Sequence, residues 1–169
     1  NIGPYVFDSC TSLTSIDLPD GVETIGGSAF AGSGITSVTI PANAEISGSA
    51  FSGCQNLQTV SFAEGVEDIP SYAFYECKSL KTVNIPDTVK SIGYEAFAES
   101  SIESVVIPGS VVTIGEGAFY NCYKLTSVTI CDGVKNIEEG AFCGCGGLQS
   151  ITIPGSVESF GQCAFSDCT

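Results

Sequence analysis

The amino-acid sequence predicts a repeat solenoid, in which short parallel β-strands and turns stack unit upon unit. Three observations predict it: a phenylalanine that recurs along the whole chain, an alternating apolar segment in each interval, and a proline or glycine at fixed places between them. A fixed period of about 20 to 50 residues is typical of solenoids, because one such unit cannot bury its apolar face without a stacked neighbour. Residues 1–169 are therefore expected to form a single repeat domain.

The recurring phenylalanine sets the length of the unit. Its intervals are 21 to 23 residues, which gives about seven repeats with the consensus F-x-x-C-x-x-L-x-x-V-x-I-P-x-x-V-x-x-I-G-x-x-A. Residues 74–96 show this consensus in full. Each phenylalanine is expected to stack on its equivalents in the adjacent units and so to form a buried spine. The members of the column are Phe7, Phe30, Phe51, Phe74, Phe97, Phe119, Phe142 and Phe165.

Each unit contains a V-x-I segment that alternates between apolar and polar residues. Residues 38–40 and 128–130 are examples, and this period of two is that of a strand with one buried face. Proline follows the segment in five units, and because proline has no N–H it ends the strand and opens a turn. One strand is therefore expected per unit.

The rest of the unit is expected to lead the chain to the next strand. The V-x-x-I-G segment supplies two more buried side chains, and its glycine is expected to adopt a backbone conformation that other residues resist. A short helical turn over A-F-x-x-C is expected to close the unit. No segment keeps the 3.6-residue period for long enough to predict a longer helix.

Nine cysteines are present, and six occupy one column of the unit. Stacked copies of one position lie about 4.8 Å apart with parallel Cβ vectors, which suit neither a disulfide nor tetrahedral zinc. We interpret the column as interior thiols that pack or bond to backbone; Ser33 and Ser100 replace it in two units that are one residue shorter at this point. A diagonal disulfide between the off-column Cys143 and Cys163 stays open. The column contains Cys10, Cys54, Cys77, Cys122, Cys145 and Cys168.

The unit L-x-x-V-x-I-P-x-x-V-x-x-I-G-x-x-A-F-x-x-C resembles the BspA-like, or treponemal-type, leucine-rich repeat of bacterial and some protozoan surface proteins. The resemblance covers the whole chain. It implies a right-handed leucine-rich-repeat superhelix with a parallel sheet on its concave face. It also implies a secreted or cell-surface adhesion protein of bacterial type without a catalytic motif. Because both ends fall within a unit, we expect the chain to be truncated at both ends.

The composition excludes several functional classes. The chain has no histidine, and five lysines face nineteen carboxylates for a net charge of −14. Without histidine, the histidine-dependent nucleophilic triads and the common zinc sites are unavailable. So acidic a chain is not expected to bind nucleic acid or anionic membranes. We therefore expect a non-enzymatic protein without cofactor or metal, and a partner that carries basic patches; the family resemblance implies that this partner is a host or neighbouring-cell protein.

Two alternative functions stay open. A carbohydrate-binding or carbohydrate-active module would use the acidic rim and the tyrosines, and a hydrolytic pair of carboxylates would need a separation of about 5 to 9.5 Å. The candidate carboxylates fall in turns where other units carry lysine, serine or threonine, which is typical of a solvated rim. They are Glu64, Glu67 and Asp68, and Glu138 with Glu139. The other alternative is a structural spacer that presents another domain.

Two surfaces are candidates for contact with a protein partner. The first is the outward face of the strands, with two columns of short, mostly hydroxyl-bearing side chains, on the side where solenoids commonly bind. The second is an aromatic edge near the phenylalanine turns, because exposed tyrosine is common at interfaces. The first surface comprises Ser37, Thr39, Thr59, Ser61, Thr82, Asn84, Ser104, Val106, Ser127 and Thr129, and the second Tyr72, Tyr75, Tyr94, Tyr120 and Tyr123.

Overall fold

The computed structural model describes residues 1–169 as a solenoid of parallel strands, which confirms the predicted fold class. Each strand bonds to the equivalent strand of the adjacent unit. The structure contains no helix that would cross a membrane.

Every unit after the first contributes two strands where the sequence predicted one. The first is the V-x-I segment, and the second is only two residues long and ends at or near the isoleucine of V-x-x-I-G. The strands are β1 (Thr24–Ile25), β2 (Ser37–Ile40), β3 (Glu45–Ile46), β4 (Thr59–Phe62), β5 (Asp68–Ile69), β6 (Thr82–Asn84), β7 (Ser91–Ile92), β8 (Ser104–Ile107), β9 (Thr113–Ile114), β10 (Ser127–Ile130), β11 (Asn136–Ile137), β12 (Ser150–Thr152) and β13 (Ser159–Phe160).

The strands form two ladders along the stack. The first ladder contains the V-x-I strands, in two sheets ordered β2-β4-β6 and β8-β10-β12. The second ladder contains the two-residue strands, in two sheets ordered β1-β3 and β5-β7-β9-β11-β13. Each ladder is therefore interrupted once within its length, the first between β6 and β8 and the second between β3 and β5.

The interruptions coincide with irregular units in the sequence. Strands β2 and β8 are the first to follow the shortened units at Ser33 and Ser100, and neither pairs with a strand of the unit before it. In the second ladder, the residue after the isoleucine normally donates its N–H to the isoleucine carbonyl of the preceding unit, as Gly93 does to Ile69 at 2.8 Å. Pro70 occupies this position in the unit of β5 and has no N–H to donate.

The A-F-x-x-C segment forms a tight turn, so the predicted helical turn is wrong. The residues two places before and two places after each phenylalanine have positive φ; around Phe74 they are Tyr72, at 58°, and Glu76, at 54°. Left-handed residues so close together are incompatible with a right-handed helix. The phenylalanine N–H donates instead to the alanine carbonyl of the next unit, from Phe74 to Ala96 at 2.8 Å. The turns thus add a third row of hydrogen bonds between units.

The predicted phenylalanine spine is present in the core. Consecutive rings stack with centroids 5.0 to 5.4 Å apart and with interplanar angles of 0 to 15°. The rings from Phe30 to Phe142 are fully buried and belong to one continuous hydrophobic core. The aromatic side chains are therefore continuous along the whole stack, as the row of turn hydrogen bonds is.

The glycine of V-x-x-I-G has a different role from the predicted one. Gly93 and Gly115 do not have positive φ. A Cβ atom on Gly115 would lie 2.6 Å from the carbonyl oxygen of Ile92 and 2.9 Å from the carbonyl carbon of Gly93. The position needs glycine because the backbone of the preceding unit occupies the space of a side chain.

Candidate interaction site

The first ladder presents the predicted contact residues on one face. Its strands alternate exposed and buried residues: in β4, Thr59 and Ser61 are exposed whereas Val60 and Phe62 are buried. All of the predicted residues of this surface are exposed except Ser127, which is half-buried. The strand registers align them in two rows. We call this surface the first-ladder face.

A cleft divides the first-ladder face at the interruption between β6 and β8. The cleft has a volume of about 310 Å³, and Thr82, Asn84, Ser104 and Val106 are among its lining residues. Val106 is 58% exposed, although its row otherwise contains serine, threonine, asparagine and aspartate. The cleft therefore combines an exposed apolar side chain with polar neighbours, which the rest of the face does not.

The aromatic edge is only partly brought together. Tyr72 contacts Tyr75 and Tyr94 edge to face, with ring centroids 5.7 and 5.1 Å apart. Tyr120 lines a cavity that Tyr94 also lines. Tyr123 is 61% exposed and does not line this cavity. Tyr72, Tyr75 and Tyr94 thus form one cluster, Tyr120 shares a cavity with Tyr94, and Tyr123 stands apart from both.

The pKa values of two of these phenols are raised above the ordinary value for tyrosine. The carboxylate of Glu95 and the hydroxyl of Tyr72 hold the pKa of Tyr94 well above its usual range. Partial burial, with a further contribution from Glu76, raises the pKa of Tyr75 to about 12. Both phenols should therefore ionise only at a more alkaline pH than an ordinary tyrosine.

The predicted acidic candidates are all exposed and lie in separate places. Glu67 and Asp68 line a cavity of about 470 Å³ with Glu45, at the interruption of the second ladder. Glu138 and Glu139 line a more open cavity beside β11 and β13. No group of three or more potential metal ligands is arranged to hold an ion.

The cysteine column is interior in the middle of the stack, as the sequence predicted, whereas its terminal members Cys10 and Cys168 are exposed and half-buried. Cys54, Cys77, Cys122 and Cys145 are fully buried, and each donates its S–H to the phenylalanine carbonyl of the preceding unit at 3.1 to 3.3 Å. Burial raises the pKa of Cys122 to about 11 and that of Cys77 well above its usual value. All nine cysteines are free thiols, so no disulfide joins Cys143 and Cys163 in this structure.

Thiol labelling is expected to separate the four buried cysteines of the column from the exposed cysteines. Iodoacetamide at pH 7.5 should modify the exposed Cys10 and Cys163 in the native protein and leave Cys54, Cys77, Cys122 and Cys145 unmodified, because those thiols are buried and protonated. Peptide mapping by mass spectrometry measures the sites, and all nine cysteines should react in denaturant, which serves as the control. Rapid native labelling of Cys77 would show that the turns are not stacked as described.

The sequence of this chain matches one known family of repeat proteins. The sequence profile described as the BspA type leucine-rich repeat region, in 6 copies, matches residues 1–100 and 44–169, and the two matches together span the chain. The chain belongs to the BspA-type leucine-rich repeat family. No curated protein matches it.

Solved structures share this BspA-type fold. A leucine-rich repeat protein from Bacteroides ovatus is 26% identical with a TM-score of 0.67, covering 99% of this chain and 56% of that one. A leucine-rich cell surface protein from Faecalibacterium prausnitzii is 28% identical with a TM-score of 0.62, covering 94% and 60%. The leucine-rich repeat protein of T. pallidum is 31% identical with a TM-score of 0.55, covering 75% and 73%. The chain thus spans a little over half the length of the first two.

Proposed function

We propose that this BspA-type chain is a non-enzymatic, extracellular adhesion module that contacts a protein partner through the first-ladder face. The observation that carries the proposal is the alignment of short, exposed, mostly hydroxyl-bearing side chains in two rows on a hydrogen-bonded sheet. Short side chains lose little rotamer entropy when a partner covers them. The family match supports protein interaction, and the relative named a cell surface protein supports an extracellular setting.

The cleft between β6 and β8 is the proposed centre of this contact. Interface energy concentrates in a few desolvated positions surrounded by polar ones. Val106 is the exposed apolar side chain of the cleft, and the hydroxyls of Thr82 and Ser104 lie around it. A partner side chain that enters the cleft would cover Val106 while the flanking rows exclude water.

The negative net charge of the chain favours partners with basic surfaces. With nineteen carboxylates against five lysines, the chain has a negative field at neutral pH, so it attracts proteins that carry basic patches. Rim charges mainly set the association rate, whereas short-range contacts set the dissociation rate. Association with the partner should therefore slow as salt is added.

Bulky substitution of the first-ladder face is expected to weaken the partner complex. Thr59→Trp, Thr82→Trp and Ser104→Trp together should raise the dissociation rate by about tenfold or more, because they obstruct the contact without altering buried residues. The measurement is surface plasmon resonance against cell-surface proteins cross-linked to the wild-type chain. Thr113→Trp in the second ladder is the matched control. Equal dissociation rates for the triple variant and the control would place the contact elsewhere.

The carbohydrate alternative has one observation in its favour, the cavity that Tyr94 and Tyr120 share with three carboxylates. Glycan arrays and glycoside turnover assays distinguish it from protein adhesion. A glycan bound by the wild type and lost in Tyr94→Ala with Tyr120→Ala would favour it. The spacer alternative predicts that neither proteins nor glycans bind.

A further inference from the structure

We propose that the cavity between Tyr94 and Cys163 binds a lysine or arginine side chain of a basic partner protein. This inference rests on the proposed adhesion function. It adds a second contact site, the class of side chain that occupies that site, and the sequence feature that creates it. We call it the glycine cavity, after the two residues that leave it open, Gly117 and Gly140.

Two glycines in succession create the glycine cavity. The position two residues before each phenylalanine is left-handed in every unit and carries a side chain in the other six. Gly117 and Gly140 occupy it in consecutive units, with Glu95 in the unit before and Cys163 in the unit after. The missing side chains leave about 230 Å³ between these neighbours. The stem of Glu95 closes one end, since its Cγ would lie 3.0 Å from a Cβ on Gly117.

The walls of the glycine cavity come from two neighbouring columns. Glu116 and Glu139 immediately precede the two glycines, and Tyr94 is their equivalent one unit earlier. Tyr120 and Cys143 come from the position after the phenylalanine. Two tyrosines and three carboxylates, counting Glu95, therefore surround one gap.

The carboxylates of the glycine cavity have no cation of their own. The two salt bridges of the protein join Lys78 to Glu76 and Lys135 to Glu158, and neither involves a residue of the cavity. No lysine lines the cavity. A cation that enters would have carboxylates and aromatic side chains among its neighbours, and both kinds of group attract ammonium and guanidinium ions.

The size and chemistry of the glycine cavity favour one cationic side chain over a sugar. At about 230 Å³ it is smaller than the roughly 300 to 1,000 Å³ of ordinary small-molecule sites. Its carboxylates only accept hydrogen bonds, whereas a sugar hydroxyl both donates and accepts. A lysine or arginine head group needs only acceptors and an aromatic neighbour.

NMR titration of the 15N-labelled chain tests the inference. The probes are the peptides Ac-GGKGG-NH2 and Ac-GGRGG-NH2, with Ac-GGQGG-NH2 as the neutral control and chitotetraose as the sugar. We expect the amide signals of Gly117, Gly140 and Tyr120 to shift with the lysine and arginine peptides and not with the other two probes. Added salt should weaken the binding, because exposed charges are screened.

Matched variants separate a specific site from general attraction to an acidic surface. Glu116→Gln with Glu139→Gln should weaken peptide binding by about tenfold. Glu45→Gln with Glu67→Gln removes the same charge from the acidic cavity that lacks tyrosine, and should leave the binding unchanged.

Gly140→Tyr should abolish binding by filling the gap. Tyr72, with φ of 58°, shows that a left-handed tyrosine is accommodated at the equivalent position of another unit. The amide spectrum verifies the fold of each variant.

Three outcomes would overturn the inference. They are equal losses in both pairs of glutamine variants, equal shifts with the neutral peptide, and chitotetraose binding at Gly117 and Gly140 in place of the cations. Each leaves the first-ladder face as a contact surface, which the tryptophan variants test separately. Conversely, cation binding in the glycine cavity of a chain whose tryptophan variants behave as wild type would remove the first-ladder placement and keep this inference.

Discussion

Replacing Phe97 with alanine is expected to lower the free energy of unfolding by about 3 to 5 kcal/mol. The ring is fully buried and stacks on Phe74 and Phe119, with centroids 5.4 and 5.3 Å away. Truncation therefore removes two ring contacts and leaves a cavity in the middle of the stack. Because units are stabilised by their neighbours, the loss should weaken the units on both sides. Urea unfolding followed by circular dichroism measures the effect.

Two further variants serve as a milder substitution and as a control for the Phe97 prediction. Phe97→Leu retains most of the apolar volume and should cost less than alanine, so it remains measurable if the alanine variant does not fold. Tyr123→Ala removes an aromatic ring that is 61% exposed, and should change stability by no more than about 0.5 kcal/mol. Similar losses for Phe97→Ala and Tyr123→Ala would contradict the stacked spine.

Replacing Gly115 with alanine is expected to destabilise the protein by about 1 to 3 kcal/mol, the range for overpacking. The added methyl group would lie 2.6 Å from the Ile92 carbonyl oxygen, and the atoms around it are backbone, which cannot rotate away as a side chain can. The two units must separate to admit it. Thermal and urea unfolding measure the loss of stability.

Gly155 supplies the matched control for Gly115. A Cβ at Gly155 would meet no atom within 4 Å, and its φ is not positive. Gly155→Ala should therefore be neutral or slightly stabilising, since alanine restricts the unfolded chain more than glycine does. Equal effects of the two substitutions would mean that the units do not approach as closely as the structure shows.

The spine and the first ladder were predictable because each rests on one residue pattern repeated many times. Phe74 and its equivalents recur every 21 to 23 residues, and the alternation of apolar and polar residues from Thr59 to Phe62 indicates which face of the strand is buried. The second ladder was missed because a strand of two residues, such as Ser91–Ile92, is too short to display a period. Its existence depends on pairing with other units, which a local pattern does not record.

The turn over A-F-x-x-C shows where local preference misled the prediction. Left-handed backbone is normally sought at glycine, yet Tyr72 and Glu76 adopt it on either side of Phe74. The hydrogen bonds and ring stacking between units impose this conformation on whatever residue is present. The irregular units did carry a signal: the shortened segment at Ser100 and the proline at Pro70 both coincide with interruptions of a ladder.

The candidate sites were predictable only as surfaces. Alternation placed Thr82, Ser104 and Val106 on the exposed face, and the structure agrees. Neither the cleft on the first-ladder face nor the glycine cavity was predicted, because each is formed by residues of several units. The relative placement of those residues depends on the stack. The glycine cavity nonetheless has a readable origin, since aligned units show Gly117 and Gly140 where the other units carry side chains.

The two ladder interruptions are staggered, and this affects how the solenoid would respond to pulling forces. Where the first ladder stops between β6 and β8, the second continues from β7 to β9; where the second stops between β3 and β5, the first continues from β2 to β4. The two interruptions therefore lie between different pairs of adjacent units, so every pair is still joined by at least one ladder. Tension applied to the two ends of the solenoid would therefore be carried across either interruption by the other ladder and the phenylalanine stack.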